Sequence, residues 1–205
     1  MAAFFPEVLD EFLSPAFLER VRKKFHYSET QADEFQTVAG EMLPLIREEA
    51  IWESKAASVK HQNQRGKCNV IYESVVMSLG NGIDCLQERY SEREQLSQSY
   101  MIDVLASEIL MQGYDAYKRY IRANTDWHVV RYHFLGSEEE FPFEMLPQLL
   151  KDLTQQITCN SAFCMCPQKS VAFIAELTQD ESVQCKGVCA GCNNTYCFNT
   201  FIDIG

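Results

Sequence analysis

The sequence lacks any apolar run that approaches the roughly 20 residues of a membrane-spanning helix. It is also poor in cations, since 18 lysines and arginines face 29 acidic residues and leave a net charge of -11. Nucleic acids and anionic membranes bind cationic surfaces, so this charge disfavours both as main partners. The opening segment MAAFFPEVLDEF has neither the basic start nor the long apolar run of a signal peptide. We therefore expect a cytoplasmic protein.

The composition is otherwise that of an ordinary globular protein. The chain has 205 residues, of which 46% are hydrophobic and 23% are charged. That length is sufficient for a domain with a well-developed core. We predict a folded domain over residues 1–178 and a cysteine-rich tail over residues 179–205.

The longest helical pattern runs from Ser97 to Ala123. Apolar residues recur along it at three- and four-residue steps, which is the spacing of one helix face. A second face is polar throughout, which favours contact with solvent. That polar face comprises Glu108, Gln112, Asp115, Arg119 and Arg122. A third face mixes polar and apolar residues: Asp103, Ser107, Leu110 and Tyr114. Because apolar residues occur on more than one face, we predict a helix that is covered by the rest of the protein on most of its sides.

Runs rich in β-branched and aromatic residues predict strands elsewhere in the chain. The predicted strands cover residues 50–62, 69–79, 127–135, 159–165 and 170–177. Helical patterns cover residues 7–26, with a break at Ser14-Pro15, and residues 28–49. Together these patterns predict a fold of both helices and strands, in which the last two strands form a hairpin that closes a sheet.

Two short segments allow two interpretations each. The basic run Arg20, Arg22, Lys23 and Lys24 is either a solvated helix end, favoured by the helix dipole, or a docking patch for an acidic partner. The glycine-rich turn Gly80–Gly82 precedes a helix over 83–90. It either makes a tight strand-to-helix turn or holds an anionic ligand against the helix N–H groups. Cys85, in that helix, is expected to be a small core residue.

The tail gathers four cysteines, Cys185, Cys189, Cys192 and Cys197, at spacings of x3, x2 and x4. Glycine, alanine and asparagine lie between them, so the backbone can turn and several thiolates can meet at one metal centre. In a reducing compartment such thiols are not expected to form disulfides. The spacing does not match the paired knuckles of a zinc finger, which favours an iron–sulfur cluster over zinc. The same four cysteines are also compatible with a redox-active thiol group, or with a cluster that holds no ligand.

Four segments resemble the activation domain of cobalamin-dependent methionine synthase, and most closely its short stand-alone relatives. They are VVMSLGNGIDCLQERY, SYMIDVLASEILMQGYDAYKRYI, EFPFEMLPQLLKDL and FCMCPQKSVAFIAEL. MCPQKSVAFI is the most specific, because it is similar to the family's methionine–x–proline–x–x–serine–valine turn. The likeness spans residues 16–177, and the tail is similar to a cysteine-rich extension of the short relatives.

The resemblance implies an α+β activation-domain fold, in which helices flank a twisted antiparallel sheet, and a role in methionine biosynthesis. In that family the domain binds S-adenosylmethionine over cobalamin held by a corrinoid-binding methyltransferase. An electron from a flavodoxin-like donor then allows the oxidised cobalt to be methylated again. The protein positions the reactants, while the cofactors supply the chemistry. The chain is thus expected to be a component of a methyltransferase activity.

The resemblance also assigns ligand-binding residues. Asp103 matches an aspartate of the family's long helix, and Arg131 or His133, with Gly136, lies where the family has arginine–x–x–proline–glycine–tyrosine. That proline and tyrosine are replaced here, because Ser137–Glu140 follows the glycine. The second functional hypothesis is therefore a metal-binding interaction or electron-transfer subunit that keeps the fold without binding S-adenosylmethionine.

Overall fold

The computed structural model describes residues 2–62 and 69–188, and this part of the chain has an α+β architecture. Its six α-helices are α1 (Pro6–Phe12), α2 (Pro15–Lys24), α3 (Ala32–Glu49), α4 (Asn81–Glu92), α5 (Leu96–Asn124) and α6 (Leu146–Leu153). Short 3-10 turns, Glu29–Gln31 and Phe143–Met145, precede α3 and α6.

The strands are β1 (Ala2–Ala3), β2 (Ile51–Gln62), β3 (Asn69–Ser78), β4 (His128–Phe134), β5 (Thr158–Cys159), β6 (Met165–Cys166) and β7 (Ser170–Thr178). The main sheet has the order β1-β2-β3-β7-β4. Its four long strands form an antiparallel sheet, and the two-residue β1 extends one edge by pairing with β2. The prediction of an α+β fold with an antiparallel sheet is therefore confirmed.

The predicted strand over residues 159–165 is wrong. Only its ends are extended, in the two-residue strands β5 and β6. Between them the Asn160 side-chain oxygen accepts the N–H groups of Ala162 and Cys164 at 2.9 and 3.0 Å. Phe163 has a φ of +60°. Asparagine favours such turns because its side chain can replace a backbone acceptor.

Helix α2 begins where the sequence indicates. Pro15 occupies its first turn, and the Ser14 hydroxyl accepts the Phe17 N–H at 3.2 Å. The cap satisfies one of the N–H groups that the first turn leaves without a partner inside the helix.

The basic run on α2 is bound largely within the chain. The Arg22 guanidinium is buried, donates to both Glu19 oxygens at 2.8 and 2.9 Å and also donates to the Tyr27 carbonyl. Lys23 pairs with Glu19 at 3.0 Å, and Lys24 pairs with Glu108 of α5. These contacts explain the run as helix-end and helix-packing residues, and they do not support a docking patch.

Helix α5 confirms the predicted span, but its polar face is not wholly solvated. Glu108 is only 8% exposed because it forms the ion pair with Lys24. At the other extreme, Tyr120, on the apolar line of the pattern, is 42% exposed.

The chain divides into two compact units. Unit 1 comprises Met1–Trp52, Met77–Ala116 and Met165–Ser170; unit 2 comprises Glu53–Val76, Tyr117–Cys164 and the chain from Val171 onward. The core of unit 1 includes Phe4, Phe12, Phe35, Met42, Ile46 and Met77. In unit 2 the Phe173 ring makes edge contacts with the rings of Tyr117 and Tyr132. None of the described helices combines the length and apolar character that a membrane crossing would need.

Candidate functional site

The glycine-rich turn of unit 1 is filled by a side chain of the protein itself. The Glu49 carboxylate, at the end of α3, accepts the Gly82 N–H at 2.8 Å. Gly80 has a φ of +89°, and a Cβ there would lie 2.3 Å from the Glu49 Cβ. The two glycines therefore allow α3 to approach the start of α4, which supports the structural interpretation of the turn over an anion site.

The MCPQKS segment is attached to the same turn. The Ser170 hydroxyl donates to the Pro167 carbonyl at 2.7 Å and lies 2.8 Å from the Ser78 hydroxyl. The Gln168 N–H donates to Asp84 at 2.6 Å, which gives Asp84 a partner in addition to its place in the first turn of α4. Pro167 and Ser170, the recognisable residues of this segment, thus hold it against the end of β3.

Asp103, the predicted ligand-binding carboxylate, lies on α5 within unit 1. It forms an ion pair with Lys169, and its side chain is 38% exposed whereas that of Lys169 is 14% exposed. Two tyrosines lie nearby: the rings of Tyr27 and Tyr100 are 6.2 Å apart, and Tyr100 is 46% exposed. A carboxylate beside aromatic rings is an environment that suits a cationic group.

The Tyr27 phenol is perturbed in this environment. Burial, then Tyr100, then the charge of Asp103 raise its pKa to about 12. Its hydroxyl is buried and has no hydrogen-bond partner among the residues that the structure describes. A buried hydroxyl that lacks a hydrogen-bond partner lowers stability by about 1–3 kcal/mol. A ligand that forms a hydrogen bond with this hydroxyl would therefore bind more tightly.

Arg131 and His133, both on β4 in unit 2, are brought together by one carboxylate. Glu138 lies 2.9 Å from His133 Nδ1 and 3.3 Å from the Arg131 guanidinium. Glu176 of β7 lies 3.1 Å from His133 Nε2, so the buried ring has a carboxylate at each nitrogen. Glu176 pairs in register with Arg131, and is therefore a diagonal neighbour of His133 across the sheet.

This arrangement favours a charged imidazole ring. Burial lowers the pKa of His133, but the hydrogen bonds to Glu176 and Glu138, with the charges of both, outweigh burial and raise it above its usual 6.5. In return, the hydrogen bond from His133 holds the pKa of Glu176 below its usual value despite burial. Both ring nitrogens can donate only when the ring is protonated.

Gly136 begins the turn that carries Glu138. It has a φ of +81°, and its N–H donates to the Phe141 carbonyl at 2.7 Å. A Cβ at this position would lie 2.1 Å from the Phe143 ring. Glycine is thus required here by backbone conformation and by packing, whether or not a ligand binds nearby.

Cys185 is the only tail cysteine within the described residues; Cys189, Cys192 and Cys197 lie outside them. Over residues 2–62 and 69–188, no group of three histidine, cysteine or acidic side chains is placed to hold a metal ion. The cysteines described there are free thiols, and Cys85, which we expected in the core, is exposed. The four-cysteine metal centre therefore stays a prediction.

Sequence reasoning missed the partners of the predicted residues. Lys169 belongs to the motif MCPQKSVAFI, and Glu138 belongs to the acidic loop Glu138–Glu140. No local pattern in the sequence indicates which side chain either of them contacts. Tyr27 and Glu176 carried no signal at all. Two of these partners lie tens of positions away from the residues they contact, 66 for Lys169 and Asp103 and 43 for Glu176 and His133.

Neither models of known protein families nor curated protein sequences give a match to this chain.

Proposed function

We propose that this protein is a reactivation module for a corrinoid-dependent methyltransferase of the methionine synthase type, and that it binds S-adenosylmethionine for the reductive remethylation of cobalamin. The corrinoid would be held by a partner protein, and a flavodoxin-like partner would donate the electron. The activation-domain fold belongs to this proposal, and the α+β architecture with its antiparallel sheet is consistent with it.

The observation that carries the proposal is the environment of Asp103. S-adenosylmethionine has a sulfonium and an ammonium group, which suit a partly exposed carboxylate next to the Tyr27 and Tyr100 rings. Its carboxylate suits the Lys169 ammonium, which already pairs with Asp103. Tyr100 and Asp103 belong to one segment of the resemblance, and Lys169 to another.

The remaining assignments follow the resemblance. They are Arg131, His133 and Gly136, all in unit 2, and Arg131 is the more accessible of the two cations because its side chain is 35% exposed. His133, at 4% exposed, would act by holding Glu138 and Glu176 in place, since both of its nitrogens already have partners.

The test is a calorimetric titration of the purified protein with S-adenosylmethionine. We expect Asp103→Ala to weaken binding by about ten- to a hundredfold, because one charged contact contributes about 1.5–3 kcal/mol. Glu88→Gln, an exposed carboxylate on α4, serves as the matched control and should leave the affinity unchanged. Unchanged affinity in Asp103→Ala would show that the ligand does not bind at this carboxylate.

A second candidate is the metal-binding interaction or electron-transfer subunit without S-adenosylmethionine. One observation favours it: Lys169 already neutralises Asp103, so the carboxylate is not free to attract a cation. The absence of any binding at millimolar S-adenosylmethionine, in protein that retains iron at the tail cysteines, would select this candidate over the first.

A further inference from the structure

Unit 2 contains a cavity of about 510 Å³ that the proposed function does not use. The last two turns of α5 form one wall, the start of β4 forms another, and the segment Glu181–Cys185 forms the third. Sites for small molecules are commonly concave and between about 300 and 1,000 Å³. The cavity therefore has the size of a small-molecule site.

The cavity is cationic in a strongly acidic protein. The described residues that line it include three cations, Lys118, Arg119 and Arg122, and one carboxylate, Glu181. The chain as a whole has 29 acidic residues against 18 basic ones, so a local excess of cations departs from its average charge. The nearby carboxyl end of α5 disfavours an anion, and the three cations of the lining act in the opposite direction.

Arg122 forms an exposed ion pair with Glu181. The Glu181 carboxylate accepts a hydrogen bond of 2.6 Å from Arg122, and the two side chains are 71% and 53% exposed. An exposed pair of this kind contributes little stability, so an incoming anion can compete with Glu181 for Arg122 at small cost.

The rest of the wall offers apolar surface and one unsatisfied ring. Val129 and Val183 line the cavity beside His128, which is 8% exposed. The Val183 carbonyl accepts a hydrogen bond from His128 Nε2 at 3.0 Å, which leaves Nδ1 as the acceptor of the neutral ring. That buried Nδ1 has no hydrogen-bond partner among the described residues.

We propose that this cavity binds a small organic phosphate with a flat apolar body. The arginines and Lys118 would bind the phosphate, because a guanidinium matches its geometry with paired hydrogen bonds. The valines would contact the body. This site is independent of the proposed function, since it involves none of the residues assigned to S-adenosylmethionine.

Calorimetry on the full chain with AMP, adenosine and inorganic phosphate tests the proposal. AMP should bind at millimolar concentration or below and at least tenfold more tightly than either adenosine or phosphate. Arg119→Gln should weaken AMP binding at least fivefold, whereas Arg89→Gln, an exposed arginine on α4 that does not line the cavity, should not change it. Glu181→Gln should strengthen it, because the competing carboxylate is removed.

NMR of the four histidines locates the site, because His128 lines the cavity and His26 does not. AMP should shift the ring signals of His128, assigned with His128→Gln, and leave those of His26 in place. The proposal is overturned by any of four results: no AMP binding, equal binding of AMP and adenosine, unchanged affinity in Arg119→Gln, or shifts at His26 without shifts at His128.

Discussion

His133 is a buried titratable side chain of unit 2 that contacts two carboxylates and two aromatic rings. Its ring is 4% exposed and lies between Glu138 and Glu176, with the rings of Tyr72 and Phe141 at 5.9 and 4.7 Å. Arg131 also faces Glu138. The two carboxylates, Glu138 and Glu176, balance the positive charges of the protonated His133 ring and the Arg131 guanidinium. Such a group is stable when every partner is present.

The protonation of His133 should make stability depend on pH. Because folding raises its pKa above 6.5, its contribution is fully present below that value and is lost as the pH rises through the folded-state pKa. We therefore expect the free energy of unfolding to fall between about pH 6 and pH 8, by no more than about 1.4 kcal/mol for each pH unit. Urea unfolding at several pH values in this range measures the effect.

His133→Gln should be less stable than the unaltered protein at pH 6, and its free energy of unfolding should depend much less on pH between pH 6 and pH 8. His26→Gln removes a histidine that is not part of the group formed by His133, Glu138, Glu176 and Arg131. This variant should keep the pH dependence of the unaltered protein. If His133→Gln keeps the pH dependence of the unaltered protein, folding does not raise the pKa of His133.

Helices α2 and α5 are joined by a buried ion pair, Lys24 with Glu108. The two side chains are 11% and 10% exposed, and the Lys24 ammonium also lies 5.5 Å from the Phe25 ring centroid. Removing two charges from water is costly, and their attraction compensates only while both are present. Each of these two charged side chains can therefore lie between the helices only because the other one is present.

Breaking the pair should destabilise the protein much more than removing a surface pair on the same helix. We expect Glu108→Gln to lower the free energy of unfolding by about 3 kcal/mol, because it removes the carboxylate that forms the ion pair with the Lys24 ammonium. Lys23→Gln, which removes a partner of Glu19 at a position 70% exposed, should change it by less than about 0.5 kcal/mol. Urea denaturation curves give both values.

The double variant Lys24→Met/Glu108→Leu distinguishes the charge from the packing. It should recover most of the stability lost in Glu108→Gln, since two apolar side chains leave no unpaired charge. A double variant as unstable as the single one would show that the helices need this pair for another reason.

The molecule as a whole comprises two compact units, and the cysteine-rich stretch that includes Cys185 follows β7 in the sequence. The cysteines that the structure describes are free thiols. The proposed partner chemistry is a one-electron reduction, which an iron–sulfur cluster can supply or relay but zinc cannot. A cluster in the tail would thus give the protein a redox centre for electron transfer. The residues that the structure describes hold no metal-binding group.

We expect protein prepared without oxygen to contain iron and acid-labile sulfide, bound by Cys185, Cys189, Cys192 and Cys197. Cys192→Ser should lower the iron content substantially, because each cluster needs its full set of thiolate ligands. Iron and sulfide assays, together with a visible spectrum, make the comparison. A protein that contains no iron, or equal iron in both forms, would rule out this cluster, and zinc in its place would favour a structural site.

Much of the architecture follows from local sequence signals. The apolar period predicts α5 to within one residue at each end, and Ser14-Pro15 marks the start of α2. The strands over 69–79 and 170–177 were equally clear. These signals succeed because helix and strand periodicity, caps and turns depend on residues only a few positions apart. Asn160 shows the limit: its side chain ends a strand that the apolar pattern predicts.

Only the tertiary structure decided how polar side chains are used. Glu108 is buried because Lys24, 84 positions away, neutralises it. The turn at Gly80 is occupied because the Glu49 carboxylate reaches Gly82 across 33 positions. The sequence by itself identifies a carboxylate, a cation or a glycine and its place on an element. Whether that group faces water, a ligand or a partner depends on which distant segment packs against it, because charge and hydrogen bonding act between neighbours in space.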